Sequence, residues 1–149
     1  MELEKEIKQE KFRNDTHKLG VNILYTYGWV YNYMVEILKK YSITLPQFNV
    51  LRILRGSMPR PVSIKSIRDR MLDKMSDASR IVEKLRAKGM VERNVSQSDR
   101  RECEVIITQK GLDLLGRMDE EEENFDKIFS NLSQTEVVEL NSLLDKMRG

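Results

Sequence analysis

Ser76-Asp77-Ala78-Ser79-Arg80-Ile81-Val82-Glu83-Lys84-Leu85-Arg86-Ala87-Lys88-Gly89 runs directly into Met90-Val91-Glu92-Arg93-Asn94-Val95. In the first half Ala78, Ile81, Val82 and Leu85 have the spacing of one helix face, and a basic last turn followed by glycine is a helix stop. The helix is read as starting from about Asp73 as its N-cap. The second half changes to the period of a strand. Glu102–Thr108 supplies a second strand with Cys103, Val105 and Ile107 on one face. Between the strands, Ser96-Gln97-Ser98-Asp99-Arg100-Arg101 is a polar turn with a basic tip.

Upstream, Ser63 is placed to cap a short helix carrying Ile64, Ile67 and Met71. Two short helices joined by a tight turn make a helix-turn-helix unit, and the hairpin after Gly89 adds a wing. Before it, Thr44 and Gln47 form a capping box with Pro46 in the first turn, so a helix is expected to about Leu54, followed by a loop over Gly56–Pro61.

Tyr25, Tyr27, Trp29, Tyr31 and Tyr33 fall on alternate positions, which by period alone suggests a strand. Length decides otherwise. About Thr16 to Lys40 has no proline, and helical spacing puts Tyr25, Trp29 and Tyr33 on one stripe and Tyr27 and Tyr31 on another face. A helix apolar on several faces needs burial on several sides, which in a chain this small calls for a second copy. Downstream, Thr108 is expected to cap a long helix to about Ser130. Ser133 with Glu136 should cap a last helix carrying Val137, Leu140, Leu144 and Met147. These two read as oligomerisation helices or as helices packed within one chain.

The fold class is therefore mainly α with a small β-hairpin. The 149 residues suit a single domain. Within it, about 43–108 forms the winged helix-turn-helix lobe, and about 1–42 and 109–149 form dimerisation helices. One cysteine excludes an internal disulfide and any multi-cysteine metal site, and one histidine leaves little for a proton relay, so no enzyme, metal or cofactor is expected. Cys103 reads as a small buried hydrophobe with no basic side chain evident beside it. Leu19–Leu38 lacks Lys and Arg over a membrane-spanning length, but Gly20, Asn22, Thr26, Gly28, Asn32 and Glu36 argue against insertion. The first thirteen residues alternate Glu and Lys, so no secretory signal and a cytoplasmic location are expected.

The net charge of +2 hides an uneven division: Arg60–Arg101 holds twelve Lys or Arg against six Asp or Glu. That block carries +6, and the rest of the chain carries −4. A nucleic acid fits such a basic face, as would an anionic membrane or an acidic protein. The acidic run Asp119–Glu123 reads as a solvated helix face.

With these features the chain resembles the MarR family of bacterial transcriptional regulators. The resemblance rests on Thr44-Leu45-Pro46-Gln47-Phe48, on the Ser76–Leu85 helix with its Lys88–Arg93 exit, and on Asp99-Arg100-Arg101 placed before Thr108 and Gly111. It covers nearly the whole chain. Two departures stand out: Leu72-Asp73-Lys74 lacks the usual turn glycine, and Ile107 replaces the common leucine before Thr108. The resemblance implies a homodimer that reads a pseudopalindromic operator and acts as a repressor or activator. It also implies a cleft for a small anionic or aromatic effector between the dimer base and the DNA-binding lobe. In the family the second basic wing residue enters a groove while the aspartate orients it, which makes Arg101 the groove reader and Asp99 its support.

Physically, the N-terminal turns of a recognition helix face base edges, so Ser76, Asp77, Ser79 and Arg80 are candidate base or adjacent phosphate contacts. Asp77 has a second reading as a carboxylate on the positive end of the helix. Lys65, Ser66, Lys74 and Lys84 are candidate phosphate contacts, and Arg100 and Arg101 reach for a neighbouring minor groove. For the effector the candidates are His17, Tyr25, Trp29 and Tyr33. A winged helix that docks an acidic protein is the alternative function.

Overall fold

In the computed structural model, which describes residues 1–149, each helix of seven residues or more begins at a side-chain cap. The order is α1 (Leu3–Glu6), α2 (Asp15–Lys39), α3 (Leu45–Arg55), β1 (Val62–Ser63), α4 (Ile64–Arg70), α5 (Ala78–Ala87), β2 (Val91–Val95), β3 (Cys103–Ile107), α6 (Gln109–Asp119), α7 (Glu122–Asp126), a 3-10 turn (Lys127–Phe129) and α8 (Gln134–Arg148). The capping boxes at Thr44 and Ser133 are both complete. The long aromatic segment is helix α2, whose N-cap Asn14 accepts from the His17 backbone N–H at 2.8 Å. No helix is long and apolar enough to cross a membrane.

The hairpin forms in the register Val91↔Ile107 to Val95↔Cys103, and β3 is the inner strand of the sheet. Its other edge pairs with β1, Val62↔Val105 and Ser63↔Glu104, a strand of two residues that the sequence pattern does not reveal. Ser63 thus serves twice, in the sheet and as the N-cap of α4 through the Ser66 N–H at 3.1 Å. The wing and the start of α4 hang from the same strand.

Two expectations need correction. The helix after the turn begins at Ala78 with Asp77 as N-cap, not at Asp73. The reason is a competing local bond set: the Asp73 carboxylate accepts from the Met75 N–H at 2.9 Å and the Ser76 hydroxyl at 3.1 Å, closing a turn instead of opening a helix. The long helix from Thr108 to about Ser130 is also broken, at Glu120 and Glu121. There Glu121 is drawn towards Tyr41 and Lys40, and like charges along Asp119–Glu123 disfavour a continuous helix.

The core is one cluster from α3, α4, α5, the sheet and α6, with Val50, Leu51, Ile67, Val82, Leu85, Val105 and Leu115 fully enclosed. At about 1.5–3 kcal/mol for each fully buried aliphatic side chain, this lobe holds most of the chain's apolar stabilisation. Its tightest point is where α5 leaves, the hairpin begins and α6 starts. Gly89 takes φ +72°, and a Cβ on Gly111 would lie 2.5 Å from the Met90 carbonyl oxygen. Thr108 joins them by donating its hydroxyl to the Gly89 carbonyl at 2.7 Å while accepting from the Gly111 N–H. Outside the lobe burial is sparse. Only Ile37 and Leu38 of α2 are buried, and no residue of α8 is.

Candidate nucleic-acid interface

Helix α5 buries Ala78, Val82 and Leu85 and leaves Ser79, Arg80, Glu83, Lys84 and Arg86 outward. Its N-cap Asp77 accepts from the Arg80 backbone N–H at 3.1 Å, which is the helix-end role expected as the second reading. On the outward face the charges sort by partner. Glu83 takes three hydrogen bonds from Arg86, between 2.6 and 3.2 Å, with Arg93 4.0 Å away. The Arg86 guanidinium holds the Glu83 carboxyl below its ordinary pKa. Arg80 and Lys84, one turn apart on the same face, have no side-chain hydrogen bond or ion pair.

Other cations of the basic block are free in the same way. Arg60, Lys65, Arg80, Lys84, Arg100 and Arg101 make no side-chain hydrogen bond and no salt bridge, whereas most cations outside the block that line α1, α2 and α3 are paired with carboxylates. All six are exposed. Unpaired cations gathered on one lobe leave a positive field for a polyanion to neutralise. Five of the six stand at positions that the sequence pattern singles out, in the recognition helix, the start of α4 and the wing; Arg60, in the loop before β1, does not. Its one signal in the sequence is its place at the head of the basic block.

The remaining candidates fall into different settings. Ser66 is half-buried in the first turn of α4. Lys74 is exposed, but its ammonium donates to the Asp69 carbonyl oxygen and closes the end of α4. Ser76 lies in the turn and Ser79 on the exposed face of α5. In the wing, the Asp99 carboxylate accepts from the Arg101 backbone N–H at 2.9 Å, so its hold on Arg101 runs through the main chain. Behind it, Ser96 is 2% exposed and links Ser98, Asp99 and Glu104, an arrangement that sequence reading misses. Cys103 is half-buried with the Arg93 guanidinium donating to its sulfur at 3.4 Å, so a basic side chain does sit beside it.

The effector candidates are dispersed. His17 packs edge-on against Phe12, and its Nδ1 accepts from the Arg13 N–H. Tyr25 donates to Glu6 at 2.9 Å, which raises the phenol pKa, and with Trp29 it borders a small cleft of about 200 Å³ beside Leu3 and Asn131. Tyr33 donates to the Asn124 carbonyl at 2.6 Å. The cleft that separates α2 from the winged-helix lobe, about 500 Å³, is lined instead by Tyr27 and Tyr31 with Leu45, Pro46, Asn49 and Lys74. The helix rolls its other aromatic face towards the lobe.

A profile of the MarR family matches residues 41–102. The HTH-type transcriptional regulator MgrA of Staphylococcus aureus is 32% identical over 117 residues, 77% of this chain and 76% of that protein. The HTH-type transcriptional repressor IacR of Pseudomonas putida is 33% identical over 113 residues, 75% of this chain and 66% of that protein, just under two thirds of its length. Among solved structures, a mutant MarR from E. coli complexed with operator DNA shares the fold with a TM-score of 0.81 at 24% identity, over 93% of this chain and 99% of that one. A MarR-like transcription regulator from Bacillus cereus does so with a TM-score of 0.80 at 24% identity, over 90% of this chain and 96% of that one. The chain belongs to the MarR family of winged helix-turn-helix transcriptional regulators, a family of regulators and not of enzymes.

Proposed function

We propose that the chain is a homodimeric, sequence-specific double-stranded DNA-binding regulator of the cytoplasm that represses transcription, with operator binding modulated by a small aromatic or anionic effector. The observation that carries DNA binding is the set of six exposed, unpartnered cations on α4, α5, the wing and the loop before β1. In this reading Ser76, Asp77, Ser79 and Arg80 meet base edges or adjacent phosphates, and Arg80 forks onto guanine. Lys65, Ser66, Lys84 and Arg100 meet phosphates, Lys74 does so only by giving up its bond to α4, and Arg101 enters the minor groove with Asp99 as support.

The dimer is supported by apolar surface that a single chain leaves bare. Leu24, Tyr27, Trp29 and Tyr31 on α2 and Val138, Leu140, Leu143 and Met147 on α8 are exposed. Residues about 1–42 and 109–149 then form the dimer base and about 43–108 the DNA-binding lobe, with α6 at the junction because Leu114, Leu115 and Met118 pack into the core of the lobe. Two-fold symmetry sets the recognition helices roughly 34 Å apart, one turn of duplex. The effector reading rests on the cleft at Tyr27 and Tyr31, whose wall includes the turn before α5. His17, Tyr25, Trp29 and Tyr33 are farther from this role than their stripe in the sequence suggests.

Retention of sheared genomic DNA by the purified protein, followed by sequencing of the retained fragments, tests the reading. Fragments sharing an inverted repeat are expected. Uniform recovery that salt abolishes would leave generic electrostatics or an acidic protein partner as the use of the basic face.

A further inference from the structure

We infer that Met75 is a specificity residue that reads the 5-methyl group of thymine in the major groove. This rests on the DNA-binding reading above and adds a residue to it. Met75 is 92% exposed, close to the limit for a side chain, in the midst of the basic block. Leu72, its apolar neighbour at 83% exposure, borders the cleft beside Tyr27 and Tyr31, but Met75 is not among the residues lining that cleft. No packing within the chain accounts for it.

The local backbone holds Met75 in place. Its N–H donates to Asp73 Oδ1 at 2.9 Å, the Ser76 hydroxyl donates to Asp73 Oδ2 at 3.1 Å, and the Ser76 N–H donates to the Asp73 carbonyl at 3.2 Å. On the far side the Leu72 N–H is tied to the Asn49 side-chain oxygen of α3 at 2.9 Å. Met75 therefore stands on a turn bonded at both ends, two residues before the N-cap of α5. That end of a recognition helix is the one that meets base edges. Among the groups that base pairs present in the major groove, the apolar one is the thymine C5-methyl. A flexible, polarisable thioether adapts to such a contact better than a branched side chain.

A duplex enriched from a random-sequence pool by the full-length wild-type protein provides the probe. Each thymine is replaced in turn by uracil, which removes the methyl and keeps the pairing, and Kd is measured for wild type, Met75→Ala and Met75→Leu. At an exposed position these substitutions leave folding unchanged. For wild type, loss of one particular methyl is expected to weaken binding about fourfold, the worth of one buried methylene-sized group. Met75→Ala should bind the thymine and uracil duplexes equally, and Met75→Leu should recover part of the discrimination. The inference is overturned if no uracil duplex differs from its parent, or if the sensitive thymine affects Met75→Ala as strongly as wild type. A pool that yields no enriched duplex would overturn the DNA-binding reading itself and this inference with it.

Discussion

Ser96 Oγ donates to Glu104 Oε1 at 2.9 Å beneath the tip of the wing, and the same oxygen lies within reach of the Ser98 N–H at 3.3 Å and the Asp99 N–H at 3.4 Å. Asp99 in turn accepts from the Arg101 N–H at 2.9 Å. Four residues thus connect the inner strand of the sheet to the arginine at the tip. Ser96→Ala is expected to weaken DNA binding about fivefold, the worth of one hydrogen bond. In an Arg101→Ala background the same change should add little, because the path ends at Arg101. Additive losses in the four-way comparison would mean that Ser96 acts elsewhere.

Gly111 admits no side chain. A Cβ there would sit 2.5 Å from the Met90 carbonyl oxygen and 2.7 Å from Ile107 Cγ1. Gly111→Ala should cost roughly 1–3 kcal/mol, read as a lower denaturant midpoint with unchanged slope. Gly116→Ala is the control, since nothing lies within 4 Å of its Cβ position, and on helix propensity it should be neutral or stabilising.

Arg60, exposed and unpartnered, is expected to act as a phosphate contact. Arg60→Ala should weaken binding to specific and random duplexes alike and reduce the slope of log K against log salt by about one per contact. A loss confined to one sequence, with the salt slope unchanged, would assign it to base reading instead.

Glu121 joins the α6–α7 break to the end of α2. Its carboxylate accepts from the Asn124 side-chain amide and from the Tyr41 hydroxyl at 3.1 Å, with Lys40 Nζ 3.7 Å away. The Asn124 bond first, and Tyr41 and Lys40 after it, hold its pKa below the ordinary range against the upward push of burial. A carboxyl with a lowered folded pKa contributes stability that is full above its unfolded value and is lost as pH falls through the folded one. Melting temperature should therefore fall more steeply for wild type than for Glu121→Gln once pH drops below about 4.3. Parallel curves would show that Glu121 contributes no pH-dependent stability.

Caps and periods make the helices and the hairpin legible in sequence, because each rests on residues within a few positions of one another. The errors arise where a competing local turn or a distant residue decides. Asp73 and Asp77 are equally able to cap a helix, and the Asn49 bond to Leu72 and the Lys74 bond to Asp69, together with the turn at Asp73, leave the start to Asp77. A two-residue strand such as β1 has no period to detect. Which aromatic face of α2 meets the lobe depends on the roll of the helix, and the alternating tyrosines offer both. Of the binding face, the helix and wing cations follow from position, whereas Arg60 and the Ser96–Glu104 link need the folded loops.

The most direct test is a fluorescence-anisotropy titration of wild type and Arg80→Ala against a duplex carrying the inverted repeat shared by the retained genomic fragments and against a scrambled duplex, at two salt concentrations. A preference for the first duplex of about 10³-fold or more, surviving the higher salt and lost in Arg80→Ala, is the expected result. Equal binding of both duplexes at each salt, with Arg80→Ala indistinguishable from wild type, would contradict sequence reading by α5.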